Sequence, residues 1–244
     1  MPHSGDRGND MASTPRTVMI TGAAGNLGRA VAAAFAQDAA NLVLVDLTRD
    51  GLERAFGAEA QTMQFAPTNL LDAAQVQARV DAALGRFGRI DVLCNLAGGF
   101  HMGEPVHQTA DSTWEFMLDI NARTLLHTAR AVVPAMLGRG GGRIVNVAAF
   151  AARQGQAHMA AYCVAKDAVV RLTEAMSAEL REKNINVNCV LPTIIDTPEN
   201  RASMPKADPS RWVAPADLAN VIVFLASHDA RAIHGAAIPV TGLS

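Results

Sequence analysis

Thr17-Val-Met-Ile-Thr21, followed at once by Gly22-Ala-Ala-Gly25-Asn-Leu-Gly28, decides how the rest of this 244-residue chain is read. A short apolar run passes into a glycine-rich turn, and Leu27, Val31, Ala34 and Phe35 then recur at helical spacing. In a strand–turn–helix of this kind, glycines let the backbone approach a pyrophosphate. The free N–H groups of the helix N-terminus meet its charge. Tight turns need glycine anyway, so the turn gains weight only from what surrounds it. The next apolar run, Asn41-Leu-Val-Leu-Val-Asp46, ends in an acid 18 residues past Gly28. That carboxylate can accept hydrogen bonds from adenosine ribose hydroxyls and would repel a 2′-phosphate. Leu47 and Thr48 follow it rather than a basic residue, so NAD(H) is preferred, with NADP(H) kept as second choice by Arg49 nearby.

Outward from this unit, strand and helix signals alternate. Strands are expected near 61–65 and at Asp91–Asn95, Arg143–Val147, Asn186–Leu191 and Ala236–Val240. Helices are expected near 49–55, 72–87, 111–137, 160–183 and 217–227, with Gly140-Gly-Gly142 stopping the third of these. The strands are continuously apolar, as when both faces of a sheet are covered. Alternation of this kind predicts an α/β fold: a single doubly wound parallel sheet, Rossmann-type, with helices on both faces. Residues 15–244 read as one domain and residues 1–14 as a disordered tail. Residues 193–212 are polar, carry Pro198, Pro205 and Pro209, and follow the C-terminal end of a strand, where such sheets bind ligands. They suit a mobile substrate lid. Phe100, Met204 and Trp212 are candidate pocket walls, and Trp114 reads as packing.

Composition excludes several functions. Half of the residues are hydrophobic and the net charge is −2, without a basic block, so no nucleic-acid partner is expected. Apolar runs stop well short of a membrane span. The polar start lacks the apolar core of a secretory signal. Cys94, Cys163 and Cys189 lack metal-ligand spacing and read as reduced core thiols of a cytoplasmic protein. The scattered histidines give no metal site.

The chemistry points to Tyr162-Cys-Val-Ala-Lys166. Tyr162 is the only tyrosine in the chain. A lysine four residues on shares its helix face. An ammonium beside a phenol is expected to lower its pKa and make Tyr162 a general acid/base. Alone, the pair reads more readily as a core tyrosine beside a surface lysine, and it is the rest of the chain that raises the catalytic reading.

Thr21-Gly22-Ala-Ala-Gly25-Asn-Leu-Gly28, Asn95-Leu-Ala-Gly98, Asn121, Tyr162-x-x-x-Lys166 and Pro192-Thr-Ile-Ile-Asp-Thr197, in this order, resemble the short-chain dehydrogenase/reductase family over residues 15–244. The usual middle glycine falls at Asn26, and Gly25 can serve. The resemblance implies cofactor contacts at Gly22, Gly25, Asn26, Leu27, Gly28 and Asp46, and at Asn69 with Leu70 near the adenine. Asn95, Ala97 and Gly98 would form the cofactor floor. Pro192, Ile195 and Thr197 would lie by the nicotinamide carboxamide. Tyr162, Lys166 and Asn121 would be catalytic, with Lys166 on the nicotinamide ribose and Asn121 kinking its helix in a proton relay. A small-molecule substrate and a homotetramer, or at least a dimer, are also implied. The expected seam uses Ala129, Ala131, Ala161, Ala165 and Ala168, which could instead serve packing within the chain.

One departure matters. The family places a serine 13 residues before the tyrosine, and here that residue is Ala149. An ordinary alcohol–ketone activity loses an oriented donor. Asn146, Gln154 and His158 are nearby candidates to replace it. Ala97-Gly98-Gly99-Phe100 and Val190–Asp208 are similar to the dihydropteridine reductases, which lack this serine. That similarity implies a quinonoid pterin-like ring as hydride acceptor, while Thr21-Gly22 and Asn121 resemble the bacterial-type ketone reductases more and imply another electron-poor carbonyl or an imine. The alternative is a dinucleotide-binding sensor or scaffold with little turnover.

Overall fold

The computed structural model describes residues 15–244, so the reading of 1–14 as a tail lies outside the described residues. Seven strands form one parallel sheet: β1 (Thr17–Thr21), β2 (Asn41–Asp46), β3 (Met63–Pro67), β4 (Val92–Asn95), β5 (Gly142–Val147), β6 (Ile185–Pro192) and β7 (Ala237–Val240). Their order across the sheet is β3-β2-β1-β4-β5-β6-β7. The chain therefore winds outward from β1 to one edge, returns, and winds from β4 to the other. The crevice at that reversal, between β1 and β4, is where sheets of this kind hold ligands.

Side chains alternate across the strands and build two cores. Val18 and Ile20 face one layer with Leu42 and Leu44. Met19 faces the other with Val43 and Val45. The first layer is covered by α1 (Asn26–Gln37), by α2 (Arg49–Phe56) through Leu52, and by α8 (Pro215–Leu225). The second is covered by α3 (Ala73–Phe87) and α5 (Thr124–Arg139), with the end of α6 (Ala160–Leu180). The central strands β1 and β4 are buried along their whole length, with both faces of the sheet covered, whereas the edge strand β7 is only partly buried.

The helix expected near 111–137 is divided. α4 (Asp111–Leu118) and α5 are joined by a π turn over Asp119–Arg123, and Asn121 sits in it. The Asn121 side-chain amide donates to the Met117 carbonyl one turn back, at 3.0 Å. A polar side chain inserted into the backbone ladder is an ordinary cause of such a bulge. The 193–212 connection also carries more structure than its composition suggests. It contains α7 (Pro198–Ser203), capped by Thr197, and a 3₁₀ turn over Pro209–Arg211.

Trp212 is buried, and its neighbour Val213 bridges to Ile195, so it acts as core and not as a pocket wall. Ala129, Ala131, Ala161 and Ala165 are buried within the chain, which is the packing alternative to an intersubunit seam. Trp114, expected as packing, is instead exposed, as are Phe116, Leu137 and Val164.

Candidate active site

The groove at the reversal point encloses about 730 Å³ and is lined by the glycine turn, Asp46, Asn69, Leu70, Ala97, Gly98, Ile195 and Thr197, among others. Two glycines of the turn, Gly22 and Gly28, have a steric reason. Gly22 has φ +64°, and a Cβ there would meet the Ala97 backbone at 3.1 Å. A Cβ on Gly28 would collide with the Gly22 carbonyl oxygen and come within 2.6 Å of Ala23 Cα. At Gly25, by contrast, a Cβ would reach only the Gly22 oxygen at 3.4 Å. The fold does not need glycine at position 25. Gly25 is the N-cap of α1 and offers no capping side chain, so the first amides of the helix face the groove. An uncapped N-terminus behind a side-chain-free cradle fits the pyrophosphate of a dinucleotide. The Asn26 amide donates to Glu199 on α7 at 2.8 Å, joining the cradle to the 193–212 connection.

Asp46 ends β2 beside the cradle and accepts from the Ala24 and Leu47 amides at 2.9 and 2.8 Å. Two backbone bonds leave further acceptor capacity for ribose hydroxyls. Arg49 is engaged by Glu53 at 2.8 Å and lies over the Phe65 ring. Next to Asp46 the groove is lined by Asn69, whose Oδ1 accepts from the Leu71 amide, and by Leu70, whose carbonyl meets His127 Nδ1 at 2.9 Å. Thr197 caps α7, and the Asn200 amide donates to the Ile195 carbonyl.

Two expected cofactor residues are placed differently. Pro192 is buried at the end of β6 and does not line the groove. Asn95 is turned into a buried chain: Thr128 Oγ1 donates to Asn95 Oδ1 at 2.7 Å, Asn95 Nδ2 to Asn146 Oδ1 at 2.9 Å, and Asn146 Nδ2 to Thr173 Oγ1 at 2.9 Å. This chain ties α5, β4, β5 and α6 together under the groove. Removing one member would leave a buried group unpaired at about 1–3 kcal/mol. It also commits Asn146, so Asn146 does not replace the absent serine. Gln154 and His158 are exposed on the β5–α6 connection.

At the far end of the groove two of the catalytic candidates, Asn121 and Lys166, meet at Gly98. A Cβ there would lie 2.7 Å from Asn121 Oδ1 and 3.1 Å from Lys166 Nζ. Asn121 is clamped by Gly99, donating to its carbonyl at 3.1 Å and accepting from its amide at 3.2 Å. Lys166 is buried, and its Nζ donates to the Val147 carbonyl at 3.0 Å. Tyr162 packs against Ala149, and Phe100 meets its ring edge-on at 4.9 Å between centroids. The Tyr162 hydroxyl has no hydrogen-bond partner among the described residues.

The expected pKa coupling is corrected. Burial pushes the Tyr162 phenol up to about 12, with Cys163 beside it acting in the same direction. Burial pushes the Lys166 ammonium down to about 8. Desolvation disfavours the charged form of each group. Lys166 lies 6.0 Å from the centre of the tyrosine ring and faces Val147, so its charge does not overturn that effect. Burial likewise pushes the Cys94 and Cys189 thiols up, to about 12 and about 11, as in inert core cysteines.

Fold and groove define a dinucleotide-binding α/β oxidoreductase. The family model for short chain dehydrogenase matches residues 16–208. The chain belongs to the short-chain dehydrogenase/reductase family and is an NAD(P)-dependent enzyme of that class. It is 33% identical over 239 residues to D-threitol dehydrogenase of Mycolicibacterium smegmatis, covering 93% of this chain and 92% of that one. It is 32% identical to levodione reductase of Leifsonia aquatica, covering 94% of each. Carveol dehydrogenase from Mycobacterium avium, solved in complex with NAD, superposes with a TM-score of 0.85 at 27% identity, over 94% of this chain and 97% of that chain. No helix among the described residues is long and apolar enough to cross a membrane.

Proposed function

We propose that residues 15–244 act as one catalytic domain that transfers a hydride between a nicotinamide dinucleotide and a small carbonyl, imine or quinonoid pterin-like substrate, with Tyr162 as general acid/base. The observation that carries this reading is the gathering of Lys166 and Asn121 at Gly98, with Tyr162 four residues before Lys166 on α6. The dinucleotide would supply or accept the hydride. Gly22, Gly25, Asn26, Leu27 and Gly28 would hold its pyrophosphate, and Asp46 its adenosine ribose. Asn69 and Leu70 would border the adenine, with Ala97, Gly98, Ile195 and Thr197 along the path to Tyr162.

With a pKa of about 12, Tyr162 carries its proton at neutral pH. In reduction it would pass that proton to the substrate oxygen or nitrogen as the adjacent carbon gains the hydride. Lys166 lies on the same face of α6, its Nζ 6.0 Å from the centre of the ring, and Asn121 fixes the Gly99 backbone through two hydrogen bonds. Asp46, and the engagement of Arg49 by Glu53, support NAD(H) over NADP(H). Relatives are named for threitol and levodione. Ala149 shifts the expectation here toward an acceptor that needs less polarisation, and the half-exposed Phe100 ring, edge-on to Tyr162, offers an aromatic wall for a planar one. A cytoplasmic location and a homotetramer or dimer complete the reading, the latter supported by exposed Trp114, Phe116, Leu137 and Val164.

Ala149 also favours a second reading, a dinucleotide sensor or scaffold with little turnover. NADH oxidation measured with quinonoid dihydropterin and a panel of ketones and imines separates them. Turnover of at least one member supports the enzyme. Tight NADH binding with no turnover of any member supports the sensor.

A further inference from the structure

At the opposite end of the sheet from the groove, a second concavity of about 300 Å³ opens where β1, β4, β5 and β6 begin. Four arginines line it: Arg16, Arg89, Arg139 and Arg143, together with Asp91 and His228. Two of these cations are neutralised. Arg89 grips Asp91 with both Nε and Nη2, and Arg16 pairs with Asp38 at 2.7 Å. Arg139, in the last turn of α5, and Arg143, on β5, have no carboxylate partner among the described residues.

Arg143 is the informative one. It is half-buried, and burial pulls its pKa below the ordinary arginine value. Its Nη1 donates to the Gly142 and Asn184 carbonyls at 2.8 and 3.3 Å. Its Nε and Nη2, the edge with which Arg89 grips Asp91, have no protein partner among the described residues. A partly desolvated guanidinium is costly unless an anion offsets it. A guanidinium edge of this kind binds carboxylate or phosphate through two parallel bonds. With Arg139 as a second unneutralised cation at the rim, the geometry points to a binding site for a phosphate-bearing small molecule, held two-handed by the free edge of Arg143 and screened by Arg139. The site is remote from the dinucleotide groove and independent of the catalytic reading. Two sources share this chemistry, inorganic phosphate and a phosphate monoester.

The test is calorimetric titration of inorganic phosphate, glycerol phosphate and succinate into the full chain at low ionic strength, with NADH saturating the groove. Saturable phosphate binding is expected, weakened about tenfold or more by Arg143→Gln, which removes the paired contact, and about several-fold by Arg139→Gln, which removes a cation at the rim. It should be unchanged in Arg130→Gln, which alters an exposed arginine of α5 outside the concavity. Tighter binding of glycerol phosphate would assign a monoester, and equal binding would assign free phosphate. Three results would overturn the site: no saturable binding, equal binding by wild type and both variants, or binding that appears only without NADH. Succinate binding as tightly as phosphate would overturn the choice of phosphate. Should Arg143→Gln fail to fold, the exposed Arg139→Gln variant decides.

Discussion

Ala149→Ser restores the hydroxyl that the family places before the catalytic tyrosine. Ala149 is 5% exposed, has an extended backbone and packs with Ala151, Cys163 and Tyr162. A serine there adds one oxygen beside the ring whose hydroxyl would protonate the substrate. One oriented donor at a developing oxyanion is worth about 10²–10³ in kcat, or roughly 3–4 kcal/mol. The gain should appear in kcat for simple ketones and much less in NADH affinity, because the new bond forms only as charge builds on oxygen. An acceptor that needs little polarisation should gain least. The cost falls on stability: a buried hydroxyl without a partner is unfavourable by about 1–3 kcal/mol. In a domain of this size that lowers Tm by roughly 2–10 °C. The assay is steady-state NADH oxidation over a ketone panel, with thermal unfolding in parallel. A folded variant whose ketone kcat stays at the wild-type value would refute the argument.

Three further outcomes follow from the geometry. Gly28→Ala should abolish the folded state, since its Cβ would collide with the Gly22 carbonyl, whereas Gly25→Ala should keep the wild-type Tm and lose about tenfold in NADH affinity; equal behaviour of the two in thermal unfolding would contradict this. Asp46→Ser should shift the NADH-to-NADPH ratio of kcat/KM toward NADPH by about tenfold to a hundredfold, because like charge against a 2′-phosphate is removed, and an unchanged ratio would dismiss Asp46 as the discriminator. Lys166 has a folded pKa of about 8, below its unfolded value, so the unfolded chain binds more protons between about pH 8 and 10.5. Wild-type stability should therefore rise relative to Lys166→Met across that window, on the order of 2–3 kcal/mol, and parallel urea midpoints from pH 7.5 to 10 would contradict the burial of a charged lysine.

The fold was legible because its signals are local and repeated: apolar strands, helical spacing, and glycines where Gly22 and Gly28 face backbone at close range. The site was legible in its residue types and less so in their surroundings. The spacing of Tyr162 and Lys166 placed them on one helix face, but their pKa values depend on how deeply both are buried and on Val147 drawing the ammonium aside. Asn95 carried a strong motif signal, yet its side chain turns into a network with Thr128, Asn146 and Thr173 whose members are far apart in the chain. Trp212 went to the core instead of a pocket wall because which neighbour covers a residue is set by tertiary packing and not by spacing. The break at Asn121 agrees with the helix kink that the family resemblance implied there, whereas helical spacing alone gave one unbroken helix over 111–137.

The central claim is that the Tyr162 hydroxyl carries the proton of the redox step, and Tyr162→Phe tests it most directly. With the substrate that the wild type turns over fastest, kcat should fall by about 10²–10⁴. NADH affinity, measured by fluorescence on the same preparation, should stay within about twofold, since the adenosine and pyrophosphate contacts are untouched. A folded Tyr162→Phe protein that binds NADH and keeps wild-type turnover would contradict the account.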